Sequence, residues 1–147
     1  MIIPASTLVV VADAGKALIF RNRGDALSPA LQIERVLEAE PNPPAHQQGT
    51  ERPGRVYASV GTQRSAVDVP DPHERAEARF IGEVSKAIEA ALAADRRTQA
   101  ILVAPPRTLG LLRQQLSARA AEQILSELPR DLTKHPVRQI ELALGLA

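Results

Sequence analysis

The sequence predicts a single mixed α/β domain over residues 1–147, opened by a strand meander and completed by helices packed on the sheet. Three observations predict it. Thr7 to Ala12 (TLVVVA) is a β-branched run, and Ala17 to Arg21 (ALIFR) follows it across a short polar turn. An amphipathic stretch opens at Asp71 with a helix-start signature. A further apolar run, Gln99 to Ala104, is stopped by Pro105-Pro106 and followed by leucines at helical spacing. A chain of this length buries roughly 68–70% of the surface its unfolded form exposes, so one real core is expected. With 44% apolar and 24% charged residues, the composition is that of an ordinary globular protein.

Between the first two strands, Asp13-Ala14-Gly15-Lys16 has the acid and the glycine of a tight hairpin turn. Leu31 to Leu37 alternates apolar and polar at its start and predicts a third strand. From Pro41 to Gly54 no apolar periodicity survives, Arg55 to Val60 has the makings of a short strand or extended arm, and Pro70 closes the irregular region. A long mobile loop is therefore expected at about 41–70, of a length that belongs to functional or disordered connections. Asp71-Pro72-His73-Glu74 then places an N-cap acid, a first-turn proline and a glutamate where a helix has free amides. Phe80, Ile81, Val84, Ile88 and Leu92 recur at helical spacing, giving a helix of about six turns to near Asp95 whose stripe should cover the meander, Phe80 over Phe20. Leu109, Leu112 and Leu116 mark a second helix. Beyond it two readings stand: Ile124, Leu125 and Leu128 extend that helix, or Ser117 caps a separate turn and Gln123 to Leu128 is a strand ended by Pro129. Pro136 starts a last short helix.

Several function classes are excluded. Without cysteine there is no disulfide scaffold, thiolate zinc site, iron–sulfur cluster or cysteine nucleophile. Only Phe20, Tyr57 and Phe80 are aromatic, too few for a base-stacking platform, and Tyr57 alone falls near the loop. The net charge of +1 provides no bulk field toward nucleic acid or membrane. The apolar run at the N-terminus lacks a basic leader and is too short to span a bilayer, so a cytoplasmic protein without membrane insertion is expected. There is no GxGxxG, P-loop, GxSxG or HExxH motif, and no cofactor is expected.

Four constellations remain. His73 and Glu77, four apart on one helical face, would with Asp71 nearby supply two or three ligands to a divalent metal, or simply stabilise a helix start. Arg96, Arg97, Arg107, Arg113 and Arg119 occur with no acid between them; Arg107 falls at the carboxyl end of a strand, where open α/β sheets place ligands. Anion or RNA-phosphate contact by Arg107 and Arg113 competes there with a plain solvated helix. Arg52, Arg55 and Arg64, with His46, Gln47, Gln48 and Gln63, would make the long loop a binding surface or a mere connection. Asp13 and Asp131 would form an acid/base pair if they converge; turn chemistry accounts for both otherwise.

Four blocks carry a resemblance: VVADAGKALIF (10–20), DPHERAEARF (71–80), APPRTLGLLRQQL (104–116) and RDLTKHPV (130–137). In order and over nearly the whole chain they are similar to the bacterial host attachment proteins, and the APPR block is the most specific. That family resembles, more distantly, the middle domain of archaeal and eukaryotic peptide release factors, a likeness that favours the strand reading of Gln123 to Leu128. Release factors carry a Gly-Gly-Gln tripeptide in the corresponding loop; here the loop has Gln47-Gln48-Gly49 and Gly61-Thr62-Gln63 instead. Two glycines permit a backbone geometry that Thr62 or Gln48 does not freely adopt, so peptidyl-tRNA hydrolysis is not expected. The resemblance implies a non-enzymatic binding or adaptor protein, with an unidentified protein as partner. The alternative is a translation-associated protein touching ribosome or tRNA phosphates. Either leaves homo-oligomer formation open.

Overall fold

The structure, a computed structural model, describes residues 2–40 and 72–145. Five strands form one mixed sheet in the order β3-β2-β1-β4-β5. β1 (Leu8–Ala12) and β2 (Lys16–Asn22) make the expected antiparallel hairpin, and β3 (Leu31–Glu38) pairs antiparallel outside β2. α1 (Pro72–Ala93) then carries the chain to the other side of β1, where β4 (Ala100–Val103) pairs parallel to it. α2 (Pro106–Gln115) and the short α3 (Ala118–Glu122) lead to β5 (Ile124–Leu128), parallel to β4, and α4 (Val137–Ala143) closes the described chain. Of the two readings beyond α2, the strand is observed. The Ser117 side chain accepts from the Ala120 amide at 3.1 Å and so begins a separate helix.

Each face of the sheet has its own core. Leu8, Val10, Ala17, Ile19 and Leu102 point to the face covered by α1, α2 and α3, with Phe80, Ile81, Val84, Ile88, Leu109 and Leu112 packed on them. Val9, Val11, Leu18, Phe20, Ile101 and Val103 point the other way, under Leu132, Ile140 and Leu144. Phe80 therefore does not cover Phe20, contrary to the sequence expectation. Successive strand residues alternate faces, and it is Ile19 that turns toward α1. β1 and β4 are buried along their whole length, as central strands covered on both sides must be.

β3 differs. Its pairing slips by one residue between Ile19 and Phe20, so Glu34 is an extra residue in the ladder. The bulge sets Ile33 opposite Phe20 and Val36 opposite Leu18, on one face, where they are 53% and 49% exposed. Bulge and flanking charges together blunt this edge against further strand pairing.

Two buried amides clasp the fold. Asn22 Nδ2 donates to the Ile3 and Pro4 carbonyls at 3.0 and 3.2 Å, and its Oδ1 accepts from the Gly24 and Ala30 amides. Gly24 is needed there, since a Cβ would stand 1.9 Å from the Ser28 carbonyl oxygen. Gln123 Nε2 lies within 2.8–3.2 Å of the Leu92, Asp95 and Thr98 carbonyls, capping the end of α1 where the helix itself leaves acceptors open.

Candidate functional site

The parallel strands β1, β4 and β5 end on the same edge of the sheet, and the chain reverses direction across it between β1 and β4. In open α/β sheets that reversal opens a crevice where ligands bind. Here the crevice is closed. The segment after β5 turns back at once, with the Arg130 amide donating to the Leu128 carbonyl at 2.9 Å. It runs across the end of β4 until the Thr133 hydroxyl donates to Asp13 Oδ2 at 2.6 Å, beyond β1. Leu132 and Thr133 are buried in this crossing.

Asp13 is saturated by it. Its Oδ1 accepts from the Gly15 and Lys16 amides, both at 2.8 Å, in the hairpin turn, and its Oδ2 takes Thr133. Asp131 Oδ1 stands 3.4 Å from the same hydroxyl. The two aspartates thus converge on Thr133, and Asp13 serves turn and closure.

Arg107 sits beyond β4, as the sequence places it, in the first turn of α2. Its guanidinium reaches back to α1: Nε donates to Glu77 Oε1 at 3.1 Å, and Nη2 stands 4.0 Å from Glu74. The arginine ties the starts of the two helices together. α2 begins on Pro105 with no side-chain cap and no acid in its first turn, so an arginine there meets the positive end of the helix dipole, and the α1 carboxylates offset it. Glu77 is thereby given to Arg107, and among the described residues no group of three or more acidic or imidazole side chains gathers to hold a metal. Glu74, Glu77 and His73 also line a broad cavity of about 740 Å³ beside the hairpin turn, with Gly15, Glu40 and Phe80.

Of the other arginines of the acid-free stretch, Arg97, Arg113 and Arg119 are also ion-paired, whereas Arg96 is exposed and makes no ion pair among the described residues. Arg113 Nε donates to Glu127 Oε1 at 2.9 Å, bracing α2 on β5, and Arg119 reaches Glu89 at 3.4 Å. At the meander, Arg21 Nε donates to Glu34 at 2.6 Å. That hydrogen bond holds the Glu34 carboxyl below its ordinary pKa, reinforced by the charges of Arg21 and Arg23. Arg52, Arg55, Arg64 and Tyr57 lie outside the described residues, as does Asp71.

A different set of cations was not singled out by the sequence. Arg130, Lys134 and Arg138 are exposed, and among the described residues none of them makes an ion pair. The signal for Arg130 and Lys134 is the RDLTKHPV block, which ends one residue before Arg138.

That block, the APPR turn that places Arg107 and the Asp13 hairpin all fall within residues 8–144, which match a family model described as "Protein required for attachment to host cells". The chain belongs to this family. A search of the curated proteins finds no significant match. In this member of the host attachment family, the strand ends are closed by the chain's own backbone and the nearest arginine is spent on α1. On the turn after β5, by contrast, Arg130 and Lys134 stay open to solvent. No helix among the described residues is long and apolar enough to cross a membrane.

Proposed function

We propose that this protein is a non-enzymatic binding or adaptor protein that serves attachment to host cells indirectly, from the bacterial cytoplasm, by contact. One observation carries this reading: the strand-end crevice, where α/β enzymes hold substrates, is closed by the crossing segment and its Thr133–Asp13 hydrogen bond. The family description supplies the process. Deleting the gene in its native bacterium should lower the number of cells attached to cultured host cells, with the protein absent from the cell surface of the wild type. Unchanged attachment would refute the reading, and recovery of the protein at the cell surface would refute its indirect, cytoplasmic form.

The second reading is a translation-associated protein that contacts ribosome or tRNA phosphates without hydrolysing the peptidyl ester. The element order favours it: a meander, a long intervening segment, a long helix, then a strand ending in Ala104-Pro105-Pro106. Co-sedimentation with ribosomes should then weaken steeply with salt, with a slope near −0.7 per phosphate contact on single strands. A flat salt response, or no sedimentation, contradicts it.

A further inference from the structure

We propose that the basic turn following β5 and the outer face of α4 form a docking surface for an anionic lipid bilayer. Lys134 to Gln139 is an uninterrupted exposed run, and the exposed Arg130 precedes it across the buried Leu132 and Thr133. Arg21, Arg107, Arg113 and Arg119 are each neutralised by a carboxylate, and the unpaired Arg35, Arg79, Lys86 and Arg96 are spread over β3, α1 and the turn after it; Arg130, Lys134 and Arg138 fall together between β5 and the first turn of α4, with no ion-pair partner among the described residues. Asp131 is the one acid within the turn, and it leans on the Thr133 hydroxyl. No acid stands in the first turn of α4, and Glu141, one turn on from Arg138, is engaged by the Leu31 amide at 3.3 Å, so the three cations outnumber the acids beside them. Charge complementarity calls for a polyanion.

Hydrocarbon beside the charge decides which polyanion. Ile140 and Leu144 face the core, and on a helix Arg138 and Leu142, one turn apart, fall on the opposite side. Leu142 is 52% exposed there, and Val137 is 38% exposed on the flank. A phosphodiester backbone offers a leucine nothing, and the two rings among the described residues, Phe20 and Phe80, are buried and stack on no base. A bilayer of anionic headgroups meets both features, phosphate for the cations and the acyl boundary for Leu142. Contact would be peripheral and reversible, since three cations and one leucine fall short of stable anchoring.

The surface deepens the contact reading by naming a partner, and vesicle binding is measured separately from attachment, so that either can fail alone. The full chain is sedimented with phosphatidylcholine vesicles, with and without phosphatidylglycerol, at low and high salt. Binding is expected only to the anionic vesicles and should fall with salt. Each cation near such a surface contributes about fivefold, so the triple variant R130Q/K134Q/R138Q should lose roughly 100-fold. L142A should weaken binding about tenfold, an effect that persists at high salt. R96Q, an exposed arginine elsewhere, should bind as the wild type does. All these positions are exposed, and circular dichroism checks that each variant folds. No binding to anionic vesicles, binding that survives the triple substitution, or an equal loss in R96Q overturns the proposal. So does triple-sensitive binding to tRNA without vesicle binding.

Discussion

Arg107 and Arg130 stand just beyond the ends of the adjacent parallel strands β4 and β5, on the same edge of the sheet, and their surroundings are opposite. Arg107 is held by Glu77 and approached by Glu74; Arg130 has no ion-pair partner among the described residues. The difference comes from what packs on each face. On one, α1 crosses the sheet and brings two carboxylates to the start of α2. On the other, the one helix among the described residues is the seven-residue α4, with no acid in its first turn. A cation beside a strand end is thus committed to architecture or left for a partner by the helix next to it, not by its distance from the strand.

The closure between these two strand ends should matter most to stability. Thr133→Val keeps the buried volume and removes the donor to a carboxylate, so a loss of about 2 kcal/mol is expected in urea unfolding. A loss below about 0.5 kcal/mol would mean that apolar packing of Leu132 alone holds the segment down.

Arg107→Gln should cost less, about 0.5–1 kcal/mol, because its side chain is 61% exposed and such pairs are screened. Arg21 with Glu34 is a second committed pair, and pH tests it. The folded Glu34 carboxyl lies below its ordinary value of 4.5, so its contribution is fully present above that value and is lost as pH falls through the lower folded pKa. Glu34→Gln should therefore lower stability by about 0.5 kcal/mol at neutral pH and converge on the wild type in acid. A gap that stays constant below pH 4.5 would contradict this assignment. Arg130→Gln is expected to change stability least, within about 0.5 kcal/mol. A larger loss would place Arg130 in the architecture after all.

Local signals reached far into this fold. The Asp13 hairpin, the long helix α1 from Pro72 and the proline stop after β4 each rest on local residues, and each stands where the sequence puts it. Residues 124–128 were ambiguous because five residues are too few for one period to exclude the other, and parallel pairing with β4 decided for the strand. The Phe20–Phe80 contact failed because one-residue alternation, not proximity along the meander, assigns faces. Asn22 and Gln123 were invisible: a buried amide that collects carbonyls from separate segments has no sequence period. The site divided in the same way. The position of Arg107 beyond a strand was legible, whereas its partner Glu77, thirty residues earlier, depends on how α1 packs. The three open cations went unnoticed because openness is a statement about missing neighbours, which only the packed chain defines.

The central claim, contact through the open turn and no chemistry at the closed strand ends, is tested most directly by complementing the deletion strain and counting attached cells. Asp13→Asn/Asp131→Asn keeps Oδ1 as acceptor in the hairpin turn and removes both carboxylates; it should restore attachment. R130Q/K134Q/R138Q, expressed at the same level, should not. The reverse outcome, with attachment lost in the double variant and restored by the triple, would contradict the account.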